Sequence, residues 1–134
     1  MTEGVFERIN PDGLAPATGF SHAVRTTGTT VHLAGQTALN SGGTIVGDGV
    51  VEQFEVALGN LLSALDAAGG SPDRLASLTV YLVDIEAYKA NAREIGRVWK
   101  RLVGSDYPAM AAVGVSRLWD IEALVEVQGV AVLE

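Results

Sequence analysis

The segment Ala123–Leu133 near the end of the chain constrains the fold most strongly. Its residues alternate as in a β-strand, yet both alternating sets are largely apolar: Val125, Val127, Ala131 and Leu133 in one, and Leu124, Val130 and Val132 in the other. A sheet with one face in water normally alternates apolar and polar residues more cleanly. The segment therefore predicts a strand whose sheet is covered on both faces.

Two amphipathic helices are predicted to cover one of these faces. Apolar residues recur at steps of three and four over Val51–Ala68, and Gly69 then ends the helix because glycine tolerates a left-handed cap. A second helix is predicted over Ile85–Val103 with Asp84 as its N-cap. The pattern predicts one α+β domain over residues 1–134, a mixed β-sheet with two helices packed on one face.

The remaining strands follow from β-branched residues and turn signals. They are predicted at Val5–Ile9, Ser21–Thr26, Thr30–Ala34, Leu75–Val83 and Ala109–Val115. The second and third are expected to form a hairpin, because Gly28 lies between them. Folding about Thr27 would place His22 opposite His32 and Phe20 opposite Ala34, and a bulge at Gly28 would shift this register by one residue.

The second face of the sheet needs a cover that this chain does not supply. Every predicted helix is already used on the first face, so self-association is the expected cover. The alternative is a monomer on which the apolar residues of the last strand lie exposed.

Composition excludes several classes of function. The chain has no cysteine, so thiolate catalysis, disulfides and cysteine-based zinc sites are excluded. Nine basic and sixteen acidic residues give a net charge of −7, which argues against a nucleic-acid partner. Residues 1–7 show no secretory signal and no apolar run spans a membrane, so a cytoplasmic protein without membrane contact is expected.

No cofactor or metal is expected either. The stretch Ser41-Gly42-Gly43 lacks the Lys-Ser/Thr of a phosphate-binding loop. His22 and His32 lack a convincing third ligand for a metal ion. The predicted partners are therefore a small-molecule ligand and further copies of the same chain.

Four segments in a defined order carry a resemblance. They are Leu33-Ala34-Gly35-Gln36, Val80-Tyr81-Leu82-Val83-Asp84, Tyr107-Pro108-Ala109 and residues 125–132, Val-Glu-Val-Gln-Gly-Val-Ala-Val. With these segments the chain resembles the RidA/YjgF family from about Gly19 to Val132. The resemblance implies a chorismate-mutase-like fold and a homotrimer whose sheets line a central barrel, with clefts between subunits. It also implies hydrolysis of reactive imines or enamines, such as 2-aminoacrylate, to ketones and ammonia.

The resemblance also implies a set of substrate-binding positions, several of which have lost their polar groups. These positions are Phe20, Ala34, Gly35, Tyr88, Met110, Ala111 and Trp119. Deaminating members carry a carboxylate-binding arginine where this chain has Met110. They usually have tyrosine at the position of Phe20 and serine at that of Ala34. Gly35 is the same residue as in the family.

The loss of the arginine and of a glutamate predicts a change of substrate. A hydrogen bond to a charged group contributes about 1.5–3 kcal/mol, so losing it lowers carboxylate affinity roughly ten- to hundredfold. Gln128 stands where the family has a glutamate thought to handle water or a proton, and general acid–base catalysis contributes ~10²–10⁴-fold. Activity on ordinary 2-imino acids is therefore expected to be weak or absent.

Four residues are candidates for catalytic roles: Gln128, Glu126, His22 and His32. Histidines titrate near neutral pH and suit acid–base chemistry, but partly exposed strand residues are the better explanation for both. Glu126 is either a buried carboxylate with a perturbed pKa or a structural partner of Arg117 or a backbone amide. The helical spacing of Tyr88 favours a core or interface residue over a cleft residue, and Trp119 either walls the cleft or packs on a neighbouring subunit.

Three functions remain open at this point. The first is a RidA-like hydrolase acting on an imine, enamine or related molecule without the usual carboxylate. The second is a non-catalytic trimer that binds an apolar metabolite, which the adaptable side chain of Met110 favours. The third, an endoribonuclease or translation inhibitor, is disfavoured by the acidic charge.

Overall fold

The chain forms a four-stranded mixed sheet, a separate two-stranded sheet and three helices in a computed structural model that describes residues 4–134. The elements in chain order are β1 Phe6–Ile9, β2 Ala23–Thr26, β3 Thr29–Gln36, α1 Val50–Ala67, a 3₁₀ turn Pro72–Arg74, β4 Leu75–Leu82, α2 Ile85–Ala90, α3 Ala92–Leu102, β5 Ala109–Gly114 and β6 Val125–Leu133. The predicted α+β class and mixed sheet are confirmed.

The apolar final strand, β6, lies inside the main sheet. The strand order is β3-β6-β4-β5, with β6 antiparallel to both neighbours and β5 parallel to β4. α1 packs across β6 and β3 with its predicted stripe. The fully buried residues of this layer are Phe54, Leu58, Leu61, Leu65, Leu78, Val80, Leu82, Val125 and Val127. The core thus lies between α1, α3 and one face of the sheet.

The predicted hairpin between β2 and β3 is wrong, although both strands exist. β2 pairs with β1, and β3 pairs with β6, so His22 does not face His32. The chain passes from the small sheet to the main sheet at Gly28, which has φ 132°. A Cβ added at Gly28 would overlap the carbonyl of Leu133, so the glycine permits a close approach to β6 rather than a tight hairpin turn.

The predicted second helix is interrupted, so three helices replace the expected two. α2 ends and α3 begins at Asn91, whose side-chain amide donates to the carbonyl of Ala87 at 2.7 Å. Asparagine side chains compete with the helical hydrogen bonds of the backbone in this way. The predicted N-cap is confirmed, because the carboxylate of Asp84 accepts from the amide of Ala87 at 3.0 Å.

The face of the sheet opposite the helices is mixed in character. It carries Thr79 beside Gln128, Tyr81 beside Glu126 and His32 beside Val130. Val130 and Leu124 are half-buried, whereas Val132, from the same alternating set, is buried within the chain. The apolar surface left on this face is therefore smaller than the sequence pattern indicated.

No helix within residues 4–134 is long and apolar enough to cross a bilayer. The sequence-based expectation about a secretory signal concerned residues 1–7, and the first three of these lie outside the described range.

Leu61→Ala is expected to lower the free energy of unfolding by about 2–5 kcal/mol, because Leu61 is fully buried between α1 and the sheet and its truncation leaves a cavity. Urea unfolding followed by circular dichroism measures the change. The control Ser63→Ala, at an exposed position of the same helix, should stay within ~0.5 kcal/mol of the parent chain. Equal losses in both variants would contradict the packing described here.

Candidate functional site

Ser21 anchors the segment before β2 to the start of β5. The residue is buried, its hydroxyl donates to the carbonyl of Tyr107 at 2.6 Å, and its amide donates to the carbonyl of Pro108 at 2.9 Å. Ser21 also forms an isolated parallel bridge with Ala109. This attachment brings Phe20 beside Met110, as the predicted site requires.

An outer pocket of about 170 Å³ lies where the resemblance places the site. Its lining residues are Gly19, Phe20, Val80, Tyr88, Met110, Ala111 and Ala112. Four of the predicted substrate-binding residues therefore share one pocket: Phe20, Tyr88, Met110 and Ala111. Ala111 and Ala112 belong to β5, which lies at an edge of the main sheet.

A second pocket of about 310 Å³, the inner pocket, adjoins the outer one and is lined in part by α3. It shares Gly19, Tyr88 and Met110 with the outer pocket, and its other lining residues are Thr18, Phe54, Ala92, Ile95, Gly96, Trp99 and Tyr107. No Asp, Glu, His, Lys or Arg lines either pocket among residues 4–134. The hydroxyls of Thr18, Tyr88 and Tyr107 are the polar side-chain groups of this lining.

Aromatic contacts fix the walls of the inner pocket. Trp99 and Tyr107 stack with ring centroids 5.1 Å apart and an interplanar angle of 9°. The indole N–H of Trp99 donates to the carbonyl of Asp106 at 3.0 Å, which holds the loop before β5 against α3. Phe54 meets Tyr88 edge to face at 6.0 Å. Buried, stacked rings of this kind give a pocket with rigid sides.

Tyr88 is the one residue in the pockets with a clearly perturbed titration. Burial, with a smaller contribution from the nearby phenol of Tyr107, raises the pKa of Tyr88 from 10.0 to about 12. Burial disfavours the charged phenolate. The Tyr88 hydroxyl therefore stays protonated at neutral pH and can donate a hydrogen bond to a ligand.

Two further predicted binding residues, Ala34 and Gly35, lie at the opposite edge of the sheet. Ala34 and Gly35 form an irregularity in β3 where the register with β6 shifts. The strand order places β3 three steps from β5, a separation of roughly 14 Å at the usual strand spacing. One copy of the chain therefore does not bring Gly35 and Met110 into the same pocket.

Glu126 and Gln128 lie on the sheet face opposite the helices. The half-buried Glu126 carboxylate contacts Gly35 so closely that a Cβ added at residue 35 would overlap it. Gln128 is exposed, and its amide oxygen accepts from the Tyr81 hydroxyl at 3.0 Å. The proposed pairing of Glu126 with Arg117 is wrong, because the Arg117 guanidinium donates to the carbonyls of Leu118 and Trp119 instead.

The two histidines are separated, and neither lines the described pockets. His22 is half-buried, packs edge to face on Phe20 at 4.9 Å, and places Nε2 2.7 Å from the carbonyl oxygen of Ala15. His32 is exposed on β3 opposite Val130. Within residues 4–134, no group of three or more His, Asp or Glu side chains is placed to hold a metal ion.

Trp119 also lies outside both pockets of this single chain. Its side chain is 91% exposed in the connection between β5 and β6, and Ile121 beside it is 70% exposed. Two such side chains in one loop form an exposed apolar patch. Trp119 therefore does not wall the cleft from within its own chain.

Sequence reasoning missed two buried polar residues, Gln53 and Ser21, that join distant segments of the chain. Buried Gln53 donates to the carbonyls of Gly47 and Glu122 at 3.2 and 3.1 Å and accepts from the amide of Leu124 at 2.8 Å. Its place on the apolar stripe, three residues after Val50, was an available signal. Ser21 gave no such signal, because its partners lie 86 residues away.

Tyr88→Phe is expected to flatten the alkaline pH dependence of stability. The folded state binds the phenolic proton more tightly than the unfolded state, so stability falls as pH rises from about 10 to about 12. The loss attributable to this group is about 2 kcal/mol. Urea unfolding at stepped pH measures it. Tyr81→Phe removes a phenol outside both pockets and should retain the loss, so flattening in both variants would contradict the assignment.

Comparisons with known proteins agree with this geometry. The family model described as Endoribonuclease L-PSP matches residues 11–133. A 2-iminobutanoate/2-iminopropanoate deaminase of Capra hircus is 34% identical over 77% of this chain and 72% of its own length. A RutC family protein of Pyrococcus horikoshii is 30% identical over the full length of both chains.

Solved structures share the fold over nearly the whole chain. A protein of unknown function of the conserved Rid family from Yersinia pestis superimposes with a TM-score of 0.86 and 34% identity, covering 96% of this chain and 98% of its own. TdcF from E. coli, solved with bound serine, superimposes with a TM-score of 0.68 and 26% identity, covering 93% of this chain and 94% of its own. The chain belongs to the Endoribonuclease L-PSP family, the RidA/YjgF family of the sequence resemblance.

Proposed function

We propose that the protein is a deaminase-type hydrolase that acts on the C=N bond of a small molecule without a carboxylate. The observation that carries the proposal is the lining of the site. Met110 stands where a carboxylate-binding arginine is expected, and no cationic side chain among residues 4–134 lines either pocket. An isolated carboxylate in such a pocket would lose its hydration without gaining a charged partner.

The reaction needs only water as co-reactant. Water adds its oxygen to the imine carbon, the C–N bond breaks, and the products are a carbonyl compound and ammonia. The Tyr88 hydroxyl is available to donate to the imine nitrogen or the developing amine. Backbone amides near Ala111, and near Gly35 of a neighbouring copy, are proposed to hold the substrate, since backbone donors survive the loss of polar side chains.

The family supports the class of reaction, and the pocket argues for a different substrate. Relatives from Capra hircus and Homo sapiens are named 2-iminobutanoate/2-iminopropanoate deaminases, and both substrates carry a carboxylate. TdcF binds serine, which also carries one. A pocket walled by Phe20, Met110 and Tyr88 suits the C=N group but offers a carboxylate no charged partner.

The complete site is proposed to form between copies of the chain in a homotrimer with a central barrel. The predicted residues divide between the β3 edge, with Ala34 and Gly35, and the β5 edge, with Met110 and Ala111. Each edge strand has one neighbour in the main sheet, apart from the single bridge to Ser21. Trimerisation that sets one edge beside the other would unite the two groups. A cytoplasmic location is part of the same proposal.

A second candidate is a binding protein without catalysis. It is favoured by the absence, among residues 4–134, of a side chain in either pocket that titrates near neutral pH. His22, the nearest candidate base, already has Nε2 against the Ala15 carbonyl. Nuclease activity, which the name of the family model suggests, is disfavoured by the net charge of −7.

The purified protein is expected to accelerate hydrolysis of neutral imines and not of 2-imino acids. An amine oxidase would generate the neutral imines and an L-amino-acid oxidase the 2-imino acids, with imine disappearance followed against the uncatalysed rate. Acceleration of 2-imino acids alone would contradict the proposed substrate class. Saturable binding of a neutral imine without acceleration would favour the non-catalytic candidate.

Met110→Arg is expected to raise kcat/KM for 2-imino acids by roughly ten- to hundredfold, because it restores a charge-assisted hydrogen bond at the pocket wall. Met110→Leu, of similar volume and without charge, should leave 2-imino acid turnover unchanged. Thermal unfolding of both variants checks that the fold persists. A folded arginine variant with no gain would show that residue 110 does not face the substrate carboxylate.

Light scattering on a sizing column is expected to give about three times the chain mass of 14.0 kDa. Val113→Lys places a charge on the half-exposed outer part of the β5 edge and should shift the population towards monomer. Val56→Lys on α1 serves as a control away from the sheet edges. A monomeric parent chain with intact turnover would contradict the shared site.

A further inference from the structure

We infer that the inner pocket binds an uncharged planar ring that carries one hydrogen-bond acceptor, and that the Tyr88 hydroxyl donates to that acceptor. The inference deepens the proposed function, since the acceptor carried by the ring would be the C=N nitrogen of the same ligand, held at Tyr88, which lines both pockets. It depends on the inner pocket alone for binding, so it is testable without turnover.

The size of the inner pocket fits a substituted ring. Its volume is about 310 Å³. An apolar cavity of about 150 Å³ suffices to bind benzene, so the space here holds a ring with a short substituent. The shared lining residues Gly19, Tyr88 and Met110 place this space next to the outer pocket.

α3 leaves this space open with small residues. Gly96 lies inside the helix and lines the pocket, and a Cβ added there would meet nothing within 4 Å. Glycine inside a helix is destabilising relative to alanine. A side chain at position 96 would therefore extend into open space at the pocket lining, and Ala92, one turn earlier, adds little bulk.

The walls select for a planar and uncharged group. Trp99 and Tyr107 form a nearly parallel stack, and Phe54 and Tyr88 meet edge to face. Flat rings of this kind favour flat ligands with offset or edge contacts. Charged groups are disfavoured because the lining, within residues 4–134, provides no counter-charge.

The Tyr88 hydroxyl supplies a directional contact at the junction of the two pockets, since Tyr88 lines both. Its phenol is mostly buried, lies near that of Tyr107, and has no hydrogen-bond partner among residues 4–134. A part-buried phenol without a partner is a donor available to a ligand, and a ligand acceptor opposite it would satisfy that donor. The raised pKa keeps the phenol protonated at neutral pH.

Three probes of similar shape separate these features: acetophenone, ethylbenzene and benzoate. Isothermal titration with the full chain is expected to show binding of acetophenone, weaker binding of ethylbenzene and none of benzoate. Tyr88→Phe should weaken acetophenone about threefold to tenfold and leave ethylbenzene unchanged, because only the ketone accepts a hydrogen bond. Tyr81→Phe, whose phenol contacts Gln128 outside the pockets, should change neither.

A second pair of variants tests the location. Gly96→Leu places a side chain in the pocket and should abolish binding of acetophenone and ethylbenzene together. Gly59→Leu adds the same side chain at a glycine of α1 that also has open space and does not line the pocket, and it should bind like the parent chain. Circular dichroism checks that both variants fold.

The outcomes distinguish this inference from the proposed function. Failure of a folded parent chain to bind either neutral probe, or binding that survives Gly96→Leu, would overturn the inference. Equal weakening of both neutral probes by Tyr88→Phe would overturn the role of the hydroxyl. Ring binding that follows the expected pattern, in a protein that hydrolyses no imine, would support the inference while the proposed hydrolase function fails.

Discussion

The packing of α1 across β6 is the contact on which the rest of the structure depends. It buries Phe54, Leu58, Leu61 and Leu65 against the middle of the main sheet, and it fixes β6 between β3 and β4. Because β6 occupies the interior, β3 and β5 become the edges. The candidate site lies along the β5 edge, where Ser21 attaches the preceding segment through two hydrogen bonds. The hydrophobic core thus decides which strand is free to line a pocket.

The lining of the two pockets is largely apolar and carries no charged side chain among residues 4–134. A carboxylate-binding arginine in this lining would be costly to desolvate without its ligand, and the chain has Met110 there. The rings of Trp99, Tyr107, Phe54 and Tyr88 are fixed by each other and by the Trp99 hydrogen bond to the loop before β5. The polar side-chain groups of this lining are the hydroxyls of Thr18, Tyr88 and Tyr107, so the lining suits an uncharged ligand better than a charged one.

The sequence predicted the positions of the helices and strands better than it predicted which strands pair. Periodicity located α1 and β4 to within a residue or two, because each buries one face. It could not pair β2 with β1, since strands with similar β-branched content suit either partner. The break at Asn91 follows from one side-chain hydrogen bond inside an otherwise helical pattern. The candidate residues Phe20, Tyr88, Met110 and Ala111 line one pocket, whereas the inner pocket arises from α1, α3 and β5 jointly and no local pattern signals it.

The two edge strands of the main sheet, β3 and β5, each carry part of the candidate site. Edge strands expose backbone donors and acceptors that pair readily with another chain, and proteins usually protect them. Here β5 carries small residues, Ala111 and Ala112, and β3 carries Ala34 and Gly35 at its irregularity. Small side chains allow another backbone or a ligand to approach closely, and they do little to block such an approach. The edge residues that leave a single chain unprotected are therefore the residues that suit a site completed by a second copy.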